Sequence, residues 1–303
     1  MKEGTSLASW SAARARVVSG VVPSVACIAT RRNRHLSGIV WGKEYVVTAA
    51  EPLAGADQVE VSFGEDPVVA DVLATDMTTD IAVLRVPEHA APAWKRSSLP
   101  VDAGSIVALV GRGARGPSAA WGGVALAGPA WRSRRGGTLA RRLEFDVRFT
   151  PGLEGAAAVD VEGGLIAMAV AGAGGKVLGI PAETVDRVLT LVQQHGRVPQ
   201  PYLGLRLQPL WLDEAAAQRL GQGASGTAVI AGIDPASPAA GADVALGDLL
   251  LGIDGERLTG IGAVASLLAG TAPGTALTLD LLRAGTPRAV EVRVGERPRR
   301  SRP

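Results

Sequence analysis

Covalent hydrolysis of an amide needs a nucleophile, a base to take its proton and a group that orients the base. The chain holds one cysteine, Cys27, and three histidines, His35, His89 and His195. Cys27 lies in the apolar run Val25-Ala26-Cys27-Ile28-Ala29, with no helix start or base beside it. The expectation is therefore a buried, inert thiol. A lone cysteine makes no intramolecular disulfide and does not report the redox compartment. His35 and His89 read as loop residues, and His195 as a helix C-terminal residue favoured by the dipole. No serine lies between Ser133 and Ser225. The arginines cluster at Arg31, Arg32 and Arg34, at Arg132, Arg134 and Arg135, at Arg141 and Arg142, and in the tail at Arg297, Arg299, Arg300 and Arg302. Such clusters could meet nucleic acid or anionic lipid. Without a nucleic-acid motif or interleaved aromatics they read as solvated loops, and no nucleic-acid partner is expected.

The elements that would position any site follow from patterning. A length of 303 residues suggests two domains, and 47% hydrophobic with 20% charged residues excludes global disorder. No stretch is long and apolar enough to span a bilayer. Val17 to Ala29, after Arg14 and Arg16, faintly resembles an export signal, but Gly20, Pro23 and Ser24 interrupt it. It is read instead as the first strand. Short β-runs then recur between turns: 37–41 and 45–49 as a hairpin across Gly42-Lys43, then 59–63, 81–86, 106–110, 143–149 and 164–170. Such a series predicts a β-barrel or sandwich. From Pro181 to Gln194 the period changes, with Val185, Val188, Leu189 and Val192 on one helical face and Gly196 as the stop. Val198-Pro199-Gln200-Pro201 is a linker. Beyond it, strands near 203–207, 226–230, 248–253 and 277–283 mix with helices at 212–220, around 237–240 and at 261–269, a compact α+β domain. The expected divisions are an N-terminal segment 1–16, a first domain 17–197, a second 198–295, and a basic, disordered tail 296–303.

Several phrases resemble, in order, those of the HtrA (DegP-type) trypsin-like serine proteases. In that family a hairpin S-G-x-(hydrophobic)…G-Y-(hydrophobic)-(hydrophobic)-T-x-A-H delivers the catalytic histidine. Here Ser37-Gly38-Ile39-Val40…Glu44-Tyr45-Val46-Val47-Thr48-Ala49-Ala50 is followed by Glu51. The family phrase D-x-x-x-D-(hydrophobic)-A-(hydrophobic)-L matches Asp76-Met77-Thr78-Thr79-Asp80-Ile81-Ala82-Val83-Leu84, which keeps the orienting Asp80. The nucleophile phrase N-P-G-N-S-G-G-P reads Thr150-Pro151-Gly152-Leu153-Glu154-Gly155-Ala156-Ala157, with Glu154 in the serine position. Downstream, Tyr202-Leu203-Gly204-Leu205, Ala236-Ser237-Pro238-Ala239-Ala240-Gly241, Gly247-Asp248-Leu249-Leu250 and Ile253-Asp254-Gly255 resemble PDZ phrases.

The resemblance implies a mostly β fold: a trypsin-like double β-barrel followed by an α+β PDZ domain. It also implies an absent chemistry. Glu51 cannot accept a proton and donate to Asp80 as an imidazole does, and Glu154 cannot form an acyl-serine. The oxyanion hole would use the amides of Gly152 and Glu154, where a carboxylate opposes developing negative charge. If Glu51, Asp80 and Glu154 converge, one pKa rises or a cation neutralises them. A divalent-cation site and an acidic hydrolase are the sharp alternatives; side chains turned to water or paired with an arginine such as Arg148 are the plainer one, and no metal or cofactor is expected. In the PDZ-like part, Leu203, Gly204 and Leu205, led by Tyr202, would receive a peptide's terminal carboxylate beside a groove walled by 261–269. The expected partners are peptides or unfolded C-terminal segments, with a homo-oligomer, a trimer by resemblance, possible through Trp10. A purely structural oligomer subunit is the third reading. The weak export signal favours the cytoplasm; the family favours the cell envelope.

Overall fold

The computed structural model describes residues 6–30, 34–64, 66–87, 92, 94–199, 201–220, 227–268, 271 and 273–297. His89, Arg31, Arg32, Arg299, Arg300 and Arg302, named above, lie outside them. The chain divides into two compact units, residues 1–131 with 139–198, and 132–138 with 199–303.

The first unit opens on a helix, α1 (Leu7–Val21). Ser6 caps it, its hydroxyl oxygen accepting the Ser9 amide at 3.1 Å. Alanines 8, 12, 13 and 15 favour the helix, and it ends in a 3₁₀ turn at Val22–Ser24 that contains Pro23. The strand expected over 17–29 therefore begins only at Val25. Its first half is helical because Val17, Val18, Val21 and Val22 repeat at i, i+1, i+4, i+5 and pack one face on the core.

Six strands follow: β1 (Val25–Ala29), β2 (His35–Val40), β3 (Tyr45–Ala49), β4 (Gln58–Ser62), β5 (Val68–Asp76) and β6 (Ile81–Arg85). They close a barrel in the order β1-β2-β3-β6-β5-β4. His35 is not in a loop; it opens β2 opposite Ala29. A second closed barrel comprises β7 (Ile106–Gly113), β8 (Gly116–Gly128), β9 (Arg142–Asp146), β10 (Ala156–Val159), β11 (Leu165–Ala171) and β12 (Val177–Pro181), in the order β9-β12-β11-β10-β7-β8. Side chains alternate between barrel interior and seam. Ala26 and Ile28 fill the first barrel, while Val25, Ile39 and Val47 join Ala108, Val110, Met168 and α2 (Ala182–His195) in a shared core. Both faces are buried, so these strands read as near-continuous apolar runs. His195 ends α2, and Gly196 follows at φ +68°, its amide donating to Val192 O at 2.7 Å.

In the second unit, β13 (Pro201–Tyr202) leads to β14 (Leu205–Leu210), then α3 (Glu214–Leu220), β15 (Thr227–Ile233), β16 (Leu249–Ile253), α4 (Ile261–Leu268), β17 (Ala276–Arg283), β18 (Thr286–Arg293) and β19 (Gly295–Glu296). The main path of the sheet runs β14-β15-β16-β17-β18, so β14 is an edge among the described strands. Leu203, Ile230, Leu250, Val264, Leu279 and Val292 form the core. The segment around 237–240 is a 3₁₀ turn (Pro238–Gly241) capped by Ser237. Glu296, assigned above to a disordered tail, is paired instead, since β19 pairs with β13. Asp248, with its side chain 1% exposed, takes both Nε and Nη2 of Arg283, at 2.8 and 2.9 Å. That guanidinium holds the carboxyl below its usual range. The chain is thus mostly β, two six-stranded barrels followed by a smaller α+β sheet domain.

Candidate functional site

Asp80 sits in the turn between β5 and β6 at φ +59°, a conformation that aspartate tolerates better than most side chains. Its Oδ1 accepts the amides of Ala50 at 3.0 Å and Glu51 at 2.8 Å. It therefore fixes the backbone of the turn after β3 that carries Glu51. The Glu51 side chain is exposed. Glu154 ends the 3₁₀ turn Pro151–Leu153, which a latch from the first barrel holds. The Ser37 amide donates to Glu154 O at 2.8 Å, and the Ser37 hydroxyl donates to Gly152 O at 2.7 Å while accepting the Arg112 amide at 2.9 Å. Gly155, at φ +79°, is obligatory here, because a Cβ would lie 2.2 Å from Ser37 O.

The Glu154 side chain turns inward. Its Oε1 accepts the Ala171 amide at 3.1 Å, and the neighbouring Gly155 amide donates to Ala169 O at 2.8 Å. The carboxyl thus takes the place of a backbone carbonyl and lengthens the β10–β11 ladder by one bond. Burial pushes its pKa up to about 7; the Ala171 amide opposes the shift, the Asp80 and Glu51 charges add to it, and Arg34 opposes it. The Asp80 and Glu51 charges reach Glu154, and the cation that reaches it is Arg34 rather than Arg148. Among the described residues no group of three His, Cys, Asp or Glu side chains is arranged to hold a metal ion.

The Glu154 amide donates to Pro151 O at 3.3 Å and the Leu153 amide to Thr150 O at 2.8 Å. The first of these is one of the two donors expected in an oxyanion hole, and it is engaged within its own turn. Cys27 is buried, and burial raises its thiol pKa, as an inert thiol requires. Arg141 and Arg142 are structural: the first donates to Val101 O at 2.8 Å, and the second pairs with Glu144 and stacks on Trp131.

In the second unit the loop from β13 to β14 is pinned from one side. Leu203 O accepts the Ala239 amide at 3.0 Å and Gly204 O accepts the Asp234 amide at 2.9 Å. In trans peptide planes the N–H points opposite to the C=O. The Gly204 amide therefore aims away from Ala239, and the Leu205 amide away from Asp234 and the β15 side of β14. Gly204 has φ +80°, and a Cβ there would meet Ser237 Cβ at 1.9 Å. The Tyr202 hydroxyl donates to Asp234, and this bond, with burial, raises its pKa. Leu203 and Val264 are buried in the same core, and Leu205, Leu207, Ala263 and Leu267 pack against that core. Sequence reasoning missed the roles of Ser37, Asp234, Ser237 and Ala171. Ser37 and Ser237 stood inside quoted phrases; Asp234 and Ala171 gave no signal.

Residues 36–168 match the model of the trypsin-like peptidase domain, and residues 201–294 that of the PDZ domain. The class is thus a trypsin-like peptidase fold joined to a PDZ domain. A probable periplasmic serine endoprotease, DegP-like, of Halomonas elongata is 27% identical over 276 residues, covering 88% of this chain and 57% of the relative. The serine endoprotease DegS of Haemophilus influenzae is 24% identical over 280 residues, covering 88% and 78%. The solved HtrA-type protease AlgW with decapeptide has TM-score 0.68 at 26% identity, covering 94% of this chain and 98% of its own. AlgW with tripeptide gives 0.65 at 27%, covering 94% and 97%. The chain is similar along most of its length to HtrA-type proteases that carry a PDZ domain, and it spans little more than half of the DegP-like relative's length. The cytoplasmic expectation finds no support among these relatives, the first of which is periplasmic by name. Among the described residues no helix is long and apolar enough to cross a membrane.

Proposed function

We propose that this HtrA-type chain lacks protease chemistry and binds peptide C-termini through its PDZ domain, as a scaffold, regulator or holdase. The observation that carries the reading is Glu154. It stands where the family has its nucleophile, and its carboxyl is committed to the Ala171 amide. Glu51 offers no imidazole, and the Glu154 amide is engaged with Pro151 O. Asp80 keeps its place for a structural reason, as acceptor for the Glu51 turn. Peptide binding is supported by the direction of the Gly204 and Leu205 amides and by the aliphatic wall beside β14, which suits an apolar terminal residue. The solved AlgW structures hold a decapeptide and a tripeptide, and the DegP-like relative, periplasmic by name, supports a place in the cell envelope; a homo-oligomer, a trimer by resemblance, belongs to the same reading.

The Glu154 pKa of about 7 favours one second reading, a hydrolase that uses Glu154 as general acid with Asp80 and Glu51. Casein incubated with the purified chain, with products read by mass spectrometry, separates the two. The expected result is no cleavage above a mock purification. Specific cleavage that Glu154→Ala removes would overturn the first reading and install the second.

A further inference from the structure

One face of β1, β2 and β4 carries charged side chains that neither reading above uses. Ala26 and Ile28 point into the first barrel, so Cys27 and Ala29 face out of it. Ala29 pairs with His35 on one side and Glu60 on the other, which puts a methyl group between an imidazole and a carboxyl. Ser37, Cys27 and Ser62 form the next row on the same face. The β7–β8 turn folds over that row: the Arg112 amide donates to the Ser37 hydroxyl at 2.9 Å, and the Arg112 charge reaches the Cys27 thiol. Face and turn enclose a cavity of about 520 Å³, with Cys27, His35, Glu60, Gly64, Arg112 and Arg115 in its walls. That volume is in the range of small-molecule sites.

Arg112 is its fixed point. The Nε donates to Val25 O at 2.9 Å and the Nη2 to Val22 O at 3.2 Å, which holds the guanidinium and leaves Nη1 uncommitted. Gly64, at φ +107°, lies beside that corner, where a Cβ would come within 2.7 Å of Nη1. Among the described residues, Glu60, Arg112 and Arg115 have no ion-pair partner. A half-buried guanidinium held only by neutral carbonyls is stabilised by a counter-charge.

We propose that this cavity binds a small molecule with one ammonium and two carboxylates, an acidic α-amino acid. The three charges set the class. A simple anion would be repelled by Glu60, and a simple cation by Arg112 and Arg115. An ammonium for Glu60 and a carboxylate for each arginine pairs all three. Rows two residues apart on one face are about 7 Å from each other, a span that a molecule of this size bridges. His35, across Ala29 from Glu60, offers a further hydrogen-bonding ring.

Isothermal titration calorimetry of the full chain, near neutral pH and at low salt, tests the site. L-Glutamate is the probe, glutarate the analogue without the ammonium, and γ-aminobutyrate the analogue with a single carboxylate. Wild type should bind L-glutamate and favour it over both analogues. Glu60→Gln should weaken L-glutamate about fivefold and erase its advantage over glutarate. Arg115→Ala should weaken it as much and erase its advantage over γ-aminobutyrate. Arg112 is left intact because it also ties down Val22 and Val25. Glu60 and Arg115 are exposed and stand on different elements, so either variant decides the matter if the other fails to fold. No binding of L-glutamate by wild type would overturn the proposal. So would equal affinity for the three probes, or L-glutamate binding that both variants leave unchanged, which would put it elsewhere on the chain. None of these outcomes bears on the peptide-binding reading.

Discussion

The Ser37 hydroxyl donates a 2.7 Å hydrogen bond to the carbonyl of Gly152, tying the first barrel to the turn that presents Glu154. Ser37 is fully buried, and its oxygen also accepts the Arg112 amide at 2.9 Å. Ser37→Ala strands both partners and should cost about 1–3 kcal/mol. Calorimetry would register a lower melting temperature, and an unchanged one would refute the latch.

The pKa of Glu154 makes a prediction about pH. The unfolded carboxyl ionises near 4.5 and the folded one near 7, so between these values the folded state holds more protons. Stability is therefore unaffected below pH 4.5, falls as pH rises toward 7 and carries the full penalty above it. The penalty is about 2–3 kcal/mol, allowing for partial solvent screening. Glu154→Gln keeps the acceptor for Ala171 and removes the charge. It should melt higher than wild type at pH 8 and level with it at pH 4. A parallel pH dependence for the two proteins would show that Glu154 is not the group responsible.

Gly204 meets two separate obstacles to a side chain, a left-handed φ of +80° and Ser237 Cβ at 1.9 Å. Gly204→Ala should destabilise the PDZ unit by about 2 kcal/mol or more and weaken peptide binding at least tenfold. Calorimetry reads the first effect and anisotropy the second. Retention of both would mean the loop can re-form without the strained plane.

Arg283→Met leaves the Asp248 carboxylate buried without its fork of donors, at a cost of about 3–5 kcal/mol. Arg283→Lys should recover only part, since an ammonium cannot bind both oxygens in the same plane. Urea denaturation curves of the three proteins would rank them, and a methionine variant as stable as wild type would contradict the account.

The parts legible in the sequence were those in which a short phrase fixes local backbone. Ser37-Gly38, Asp80 after Asp76, and Tyr202-Leu203-Gly204-Leu205 each announced a turn or strand whose geometry depends on a few neighbours. The half-helical nature of 17–29 was not legible, because four valines spaced to serve a helix also suit a buried strand. The Asp248–Arg283 pair was hidden by 35 residues of separation. The inward turn of Glu154 was hidden too. The same glutamate could have faced water, and only the closure of the second barrel brings the Ala171 amide within its reach.

That contact bears on what a substitution at Glu154 would do. A side chain that stands in for a missing rung becomes part of the scaffold, and exchanging Glu154 for serine would vacate the rung as well as change the chemistry. The serine oxygen is two carbons too short to reach the Ala171 amide from the same backbone, the turn amide would still face Pro151, and position 51 would still lack an imidazole. No single substitution alters all three features. Glu154→Ser would therefore act on this chain first as the loss of a scaffold contact and only second as a change of side-chain chemistry.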